Sequence, residues 1–180
     1  MRDHYQAFLE RPSAAGYRRV RSAILSLPAF DGSSLPLHEL DRLCRRKRPQ
    51  AALRRIENLR PCWTLSPRFH LLAARLAERQ GDADDAELER FSAAACLEGL
   101  LATGDGSRRF PYLITYHSDV QDLLQSQRRR PVRQALHEHR GRRYDVVDCA
   151  DGECCWFDAT DLFRGAPAIL DPETVELETP

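Results

Sequence analysis

A helical pattern that returns after 34 residues and then stops constrains this chain more than any other feature. Leu37, Leu40, Leu43 and Cys44, just after Pro36, form one apolar stripe at helical spacing. Arg45 to Pro49 is a basic break. Pro49 suits the first turn of a new helix, where its missing N–H costs little. Ala52, Leu53, Ile56 and Leu59 form a second stripe, which Pro61 closes. A shift of 34 maps Leu37 onto Leu71, Leu40 onto Ala74, Leu43 onto Ala77, Ala52 onto Ala86, and Lys47 onto Gly81. The second unit opens with Ser66-Pro67 as cap and first helical residue, followed by Phe69, Leu72 and Leu76. Gly81-Asp82 reads as a turn, and Leu88, Phe91, Ala95 and Leu97 belong to the next helix. The pattern ends at Gly104-Asp105-Gly106-Ser107.

A 34-residue period of helix–turn–helix content is that of tetratricopeptide repeats. One helix pair cannot bury its own apolar face, so neighbours stack and share a core. About three units are usually needed for stability, so two require further elements to close the core. Upstream, residues 4–10 read as a short helix carrying Tyr5, Phe8 and Leu9, interrupted by Pro12 and Gly16. Tyr17, Val20, Ile24, Leu25 and Leu27 mark another helix, ended by Pro28, before the turn Asp31-Gly32-Ser33-Ser34. Downstream, Tyr112 to Tyr116 is a β-rich run, and Ser118 caps a helix containing Val120, Leu123 and Leu124. Val132 to His139 fits helix or strand. Tyr144 to Cys149 alternates like a strand, Asp151-Gly152 is a hairpin turn, and Cys154 to Asp158 is the returning strand.

The expected fold class is therefore α+β, mostly α: tetratricopeptide-like helical hairpins followed by a small α+β cap with a β-hairpin. All 180 residues form one composite domain, with helical hairpins over 17–103, the cap over 104–164 and a loosely attached acidic tail over 165–180. In the order and spacing of Gly104-Asp105-Gly106-Ser107, Tyr112 to Tyr116, Tyr144-Asp145-Val146 and Trp156-Phe157-Asp158, the chain resembles the bacterial domain-of-unknown-function family numbered 4919. The resemblance spans residues 17–164. It implies helical hairpins followed by a small α+β part, and no known activity. Where that family sets an acidic–aromatic pair at the start of the helix after the first strand, this chain has Ser118-Asp119-Val120, without the aromatic.

Composition narrows the function classes. No apolar run approaches the roughly 18 residues needed to span a bilayer. Met1-Arg2-Asp3-His4-Tyr5 lacks the apolar block of a signal peptide, so the cytoplasm is the expected compartment. Lys47 is the one lysine among 27 bases, the composition of a GC-rich bacterial genome. The six cysteines contain no CxxC and read as reduced, small apolar groups. Zero net charge hides segregation: residues 1–60 carry +7, 61–107 carry −4, 108–143 carry +6 and 144–180 carry −9. Such blocks attract one another or steer partners.

Several constellations invite chemistry. Gly104-Asp105-Gly106-Ser107 resembles an anion-binding nest, but no Lys-Ser/Thr follows it. It reads better as a helix stop, with Gly104 left-handed and Asp105 and Ser107 bonding locally. His137, His139, Cys149, Cys154 and Cys155 offer metal ligands, but in no standard zinc spacing. A buried-thiol hairpin is the simpler reading, with adjacent Cys154 and Cys155 facing opposite ways. Cys96, His117 and Asp119 contain a nucleophile and a base, and nothing in the sequence makes them converge. The runs Arg45 to Arg48 and Arg128 to Arg130 could contact phosphates, but both sit at helix ends where bases complement the dipole, and the neutral total disfavours nucleic acid.

The leading expectation is a non-enzymatic module that binds a protein or peptide in a bacterial cytoplasm, with no cofactor and no metal. Arg45, Arg55, Arg75, Arg79 and Trp156 are the candidate contact residues. The competing expectations are an enzyme whose site lies between helices and cap, drawing on His117, Asp119, Tyr144 and Asp158, and a metal-stabilised cap.

Overall fold

The computed structural model describes residues 1–46 and 48–163. Lys47 and the acidic tail expected over 165–180 lie outside the described residues. Among the described residues, seven α-helices precede or flank one four-stranded sheet, an α+β fold that is mostly α. The helices are α1 (Arg2–Glu10), α2 (Ala14–Leu25), α3 (Leu35–Arg45), α4 (Pro49–Trp63), α5 (Pro67–Gln80), α6 (Ala83–Leu101) and α7 (Ser118–Ser126). The strands are β1 (Tyr112–Leu113), β2 (Pro131–His139), β3 (Arg142–Cys149) and β4 (Cys154–Asp158).

Two consecutive hairpins, α3–α4 and α5–α6, occupy the region of the 34-residue pattern. Pro49 and Ala83, 34 residues apart, begin their second helices. Both first helices carry a proline in the opening turn, and Ser66 caps α5 by accepting from Phe69 N at 3.2 Å. The α5–α6 turn follows the sequence: Gly81 ends α5 at φ 81°, and Asp82 caps α6 through Asp85 N.

The pattern fails at identifiable places. Leu37 is buried but its counterpart Leu71 is 43% exposed, because α5 turns Phe69, Leu72, Ala73 and Leu76 inward instead. Leu88 and Phe91 face solvent. On the opposite side of α6, Ala86, Ala93, Cys96 and Gly99 present a face of small residues to the core. Pro61 lies inside α4, which continues to Trp63; within the last turn it forfeits one backbone bond without ending the helix. Pro12 and Gly16 do not delay α2, which starts at Ala14 because Ser13 accepts from Gly16 N.

The sheet order is β1-β4-β3-β2, with β1 parallel to β4 and the other neighbours antiparallel. The Val132 to His139 segment is strand. Its turn into β3 places Arg140 and Gly141 at φ 51° and 73°, the left-handed pair of a tight hairpin. The β-run expected to reach Tyr116 ends at Leu113. Beyond it, the Asp119 carboxylate accepts from Thr115 N at 2.8 Å and Tyr116 N at 3.0 Å, replacing a sheet partner. One apolar cluster joins the layers, running from Phe8, Tyr17 and Leu40 through Trp63 and Phe69 to Val147, Cys155 and Phe157.

The segment Ile114 to His117 is the seam between helices and sheet. Buried Arg21 donates from Nε and Nη2 to Ile114 O, and from Nη1 to Asp161 at 2.6 Å. Tyr17 and Thr115 hydroxyls pair at 2.8 Å. Tyr116 stacks on Trp63 and donates to Cys62 O at 2.7 Å, while His117 N donates to Gly32 O.

Helix α1 is clamped by Phe8, whose ring sits over Gly99. A Cβ at Gly99 would stand 2.5 and 2.6 Å from two Phe8 ring carbons. Alanine gains about 1 kcal/mol of helix propensity, against about 1–3 kcal/mol for overpacking. Gly99→Ala is therefore expected to loosen α1, seen as faster amide exchange over residues 2–10 and a lower Tm. Unchanged exchange there would contradict this packing.

Candidate binding groove

Helices α3, α5 and α7 enclose a groove of about 400 Å³. Each helix contributes one face. From α5 come Arg68, Leu71, Leu72 and Arg75, positions three, four and seven apart that share a helical side. From α3 come His38, Asp41 and Arg45 beside buried Leu37. His117 and Ser118, at the start of α7, and Gln121, Asp122 and Gln125 along it complete the wall. A second depression of about 530 Å³ adjoins it, with Arg45 lining both. Its other lining groups are Cys44, Arg48, Pro49, Leu76, Arg79 and Gln80, with no acid among them.

The groove's cations differ in how firmly they are held. Arg68 donates from Nε and Nη2 to Asp122 Oδ1 at 2.8 and 2.6 Å, and from Nη1 to Gln121. Arg79 donates to Cys44 O at 2.8 Å, capping the end of α3 and tying it to α5. Arg45 pairs with Asp41 four residues earlier, but its side chain is 76% exposed. Such a pair contributes only about 0.3–0.5 kcal/mol, so Arg45 is readily released to another acid. Arg75 is exposed and forms no ion pair among the described residues.

Two polar atoms in the same wall lack partners. Ser118 Oγ and Asp122 Oδ2 are buried without a hydrogen bond among the described residues. Native chains leave few such atoms unpaired. Burial pushes the Asp122 carboxyl up, with Arg68 pulling against it. Both residues line the basic groove, with these two atoms shielded from solvent.

Of the five candidate contact residues, Arg45, Arg75 and Arg79 come together along this groove and its extension. Arg55 does not; it pairs with Glu39 at 2.8 Å. Trp156 lies on the sheet face opposite Phe157, beside His137 and Tyr144, with the Arg108 guanidinium 5.4 Å above its ring. Sequence reasoning missed Arg68, His38, Ser118 and Asp122. The Arg68, Leu71, Arg75, Arg79 stripe was readable as helical spacing, but nothing local revealed which helix would face it.

The enzyme candidates do not converge. His117 lines the groove and packs edge-on against Phe163, while the Asp119 carboxylate is turned inward onto backbone N–H groups. Asp158 bonds to Arg142 and to the Thr160 hydroxyl, and Tyr144 stands beside Trp156. Cys96 donates to Thr64 O in the core, and burial pushes its thiol up, away from the reactive thiolate. Among the described residues, no three His, Cys, Asp or Glu side chains gather to hold a metal. Cys154 is exposed and Cys155 buried, as their adjacency on a strand requires. The helix stop is confirmed in part. Asp105 and Ser107 bond locally, but Gly106 carries the positive φ of 79°. Gly104 is needed because a Cβ would stand 2.4 Å from Pro111 O.

A second polar cluster lies in the core. His70 Nδ1 meets Glu89 at 2.5 Å, Arg60 donates to Glu89 at 2.6 Å, and His70 Nε2 meets Thr64 O at 2.9 Å and Tyr5 Oη at 3.1 Å. Burial pushes Glu89 up, but the His70 and Arg60 hydrogen bonds and charges outweigh it and hold the carboxyl below its usual range. These bonds link α1, α4, α5 and α6.

Set against known families, curated proteins and solved structures, the chain matches none. The groove is therefore read from its own chemistry. No helix among the described residues is long and apolar enough to cross a membrane.

Asp119, buried behind the start of α7, ties the stability of the fold to pH. Burial pushes its carboxyl up to about 7, against the pull of the Thr115 and Tyr116 N–H groups. In the unfolded chain it titrates near 3.9. Between these values the native chain holds a proton that the unfolded chain releases. Its stabilising contribution is full below about pH 4 and is lost as pH rises through about 7. Urea denaturation of the wild type and of Asp119→Asn should show their stability difference shifting against the wild type across that window. A flat difference would count against a protonated, buried Asp119.

Proposed function

We propose that this chain is a non-enzymatic binding module that takes an acidic, extended segment of a protein partner in the groove between α3, α5 and α7. The observation that carries this reading is a groove rimmed by Arg45, whose pair with Asp41 is exposed, and Arg75, which forms no ion pair among the described residues, beside a depression lined by Arg48 and Arg79 and by no acid. Carboxylates satisfy Arg45 and Arg75, which no buried acid holds. Leu37, Leu71 and Leu72 supply apolar contact between the charges. Paired helical hairpins suit the task, because stacked hairpins present a continuous surface.

The tetratricopeptide-like character of the hairpins, the kinship with the 4919 family and a bacterial cytoplasmic setting belong to the same proposal. None of them adds an activity. The protein partner is preferred to nucleic acid because the chain as a whole carries no net positive charge.

Fluorescence anisotropy with a labelled poly-glutamate decapeptide tests the reading. Binding is expected at low ionic strength and should weaken as salt screens the groove. Arg45→Glu with Arg75→Glu should weaken it roughly tenfold or more, about 1.4 kcal/mol, without lowering Tm. Arg55→Glu, outside the groove, should leave it unchanged. Equal loss in all variants, or no binding at low salt, would overturn the proposal.

A further inference from the structure

The described residues end beside the groove. Phe163, its last described residue, packs edge-on against His117 with ring centroids 5.7 Å apart, and His117 lines the groove. The sequence that follows is chemically matched to what lies there. Residues 165–180 contain Asp171, Glu173, Glu176 and Glu178 and no base. The groove and its extension are rimmed by Arg45, Arg48, Arg68, Arg75 and Arg79. We propose that segment 165–180 of this same chain occupies the groove between α3, α5 and α7, as a tethered competitor of the partner. This rests on the reading of that groove as a site for acidic peptide.

Reach permits it. Arg68 to Arg79 spans eleven residues of α5, about 16 Å at a rise of about 1.5 Å each. Glu178 stands fifteen residues beyond Phe163, which allows up to about 50 Å of extended chain. The pattern also fits. Val175-Glu176-Leu177-Glu178 alternates apolar and acidic residues. In an extended segment these fall on opposite sides, so Val175 and Leu177 meet Leu71 and Leu72 while the glutamates meet the arginines. The four carboxylates offset the excess of basic over acidic side chains along the groove, so the charge blocks of the sequence pair within one molecule.

The test titrates a labelled peptide of residues 165–180, added in trans, against three full-length proteins. These are the wild type, a tail-neutralised protein (Asp171→Asn, Glu173→Gln, Glu176→Gln, Glu178→Gln), and that protein with Arg45→Glu and Arg75→Glu added. A tethered tail competes at an effective concentration near millimolar, so the neutralised protein should bind the probe roughly tenfold more tightly than the wild type. The arginine reversals should abolish the gain. Equal binding by wild type and neutralised protein would overturn tail docking and leave the groove reading standing. Binding that survives the arginine reversals would place the tail elsewhere. No binding by any of the three, with no binding of poly-glutamate, would remove both.

Discussion

The buried carboxylate of Asp119 holds the two halves of this protein in register. It takes the backbone N–H groups of Thr115 and Tyr116 and so converts the end of a strand into a tight bend. That bend presents Ile114 O to Arg21, Thr115 to Tyr17 and the Tyr116 ring to Trp63. Helices α2 and α4 are thereby fastened to the segment that leads from β1 into α7. The groove inherits its shape from the same place, since His117 and Ser118 follow directly. A folding device and a binding wall share one short stretch of chain.

The helical region was legible because its signals are local. Ser66, Pro67, Gly81 and Asp82 mark ends through their own backbone chemistry, and the structure keeps them. The Cys154 to Asp158 strand was legible from Asp151-Gly152, whose glycine takes φ 85°. By contrast, β2 was ambiguous because its turn uses Arg140-Gly141, and arginine is an unusual first residue for a left-handed pair. The early end of β1 was hidden because Tyr112 to Tyr116 has strand composition throughout. What ends it is a side chain several residues downstream. Leu88 and Phe91 misled for another reason: spacing identifies a helical face but does not say which face turns inward.

The groove was half legible. Some of its arginines could be named: Arg45 and Arg75 line it, and Arg79 lines the adjoining depression. Its walls come from three helices far apart in sequence, so the unpaired Ser118 and Asp122 atoms could not have been foreseen. Net charge was a poor guide. A total of zero conceals a rim of arginines that are weakly engaged on one side and firmly spent on helix ends and buried acids on the other.

Strand β2 forms one edge of the sheet, nine residues long and largely exposed. An open edge of that length invites copies of a chain to add strand to strand. Here Arg133 is drawn back to Asp148 and Glu138 to Arg143, both on β3, and the strand begins with Pro131 and an irregular step before Arg133. A second copy seated there would meet charges already committed sideways and a start that cannot donate a bond. The cross-strand ion pairs that close the β2–β3 hairpin thus also guard the protein against polymerising through its own edge.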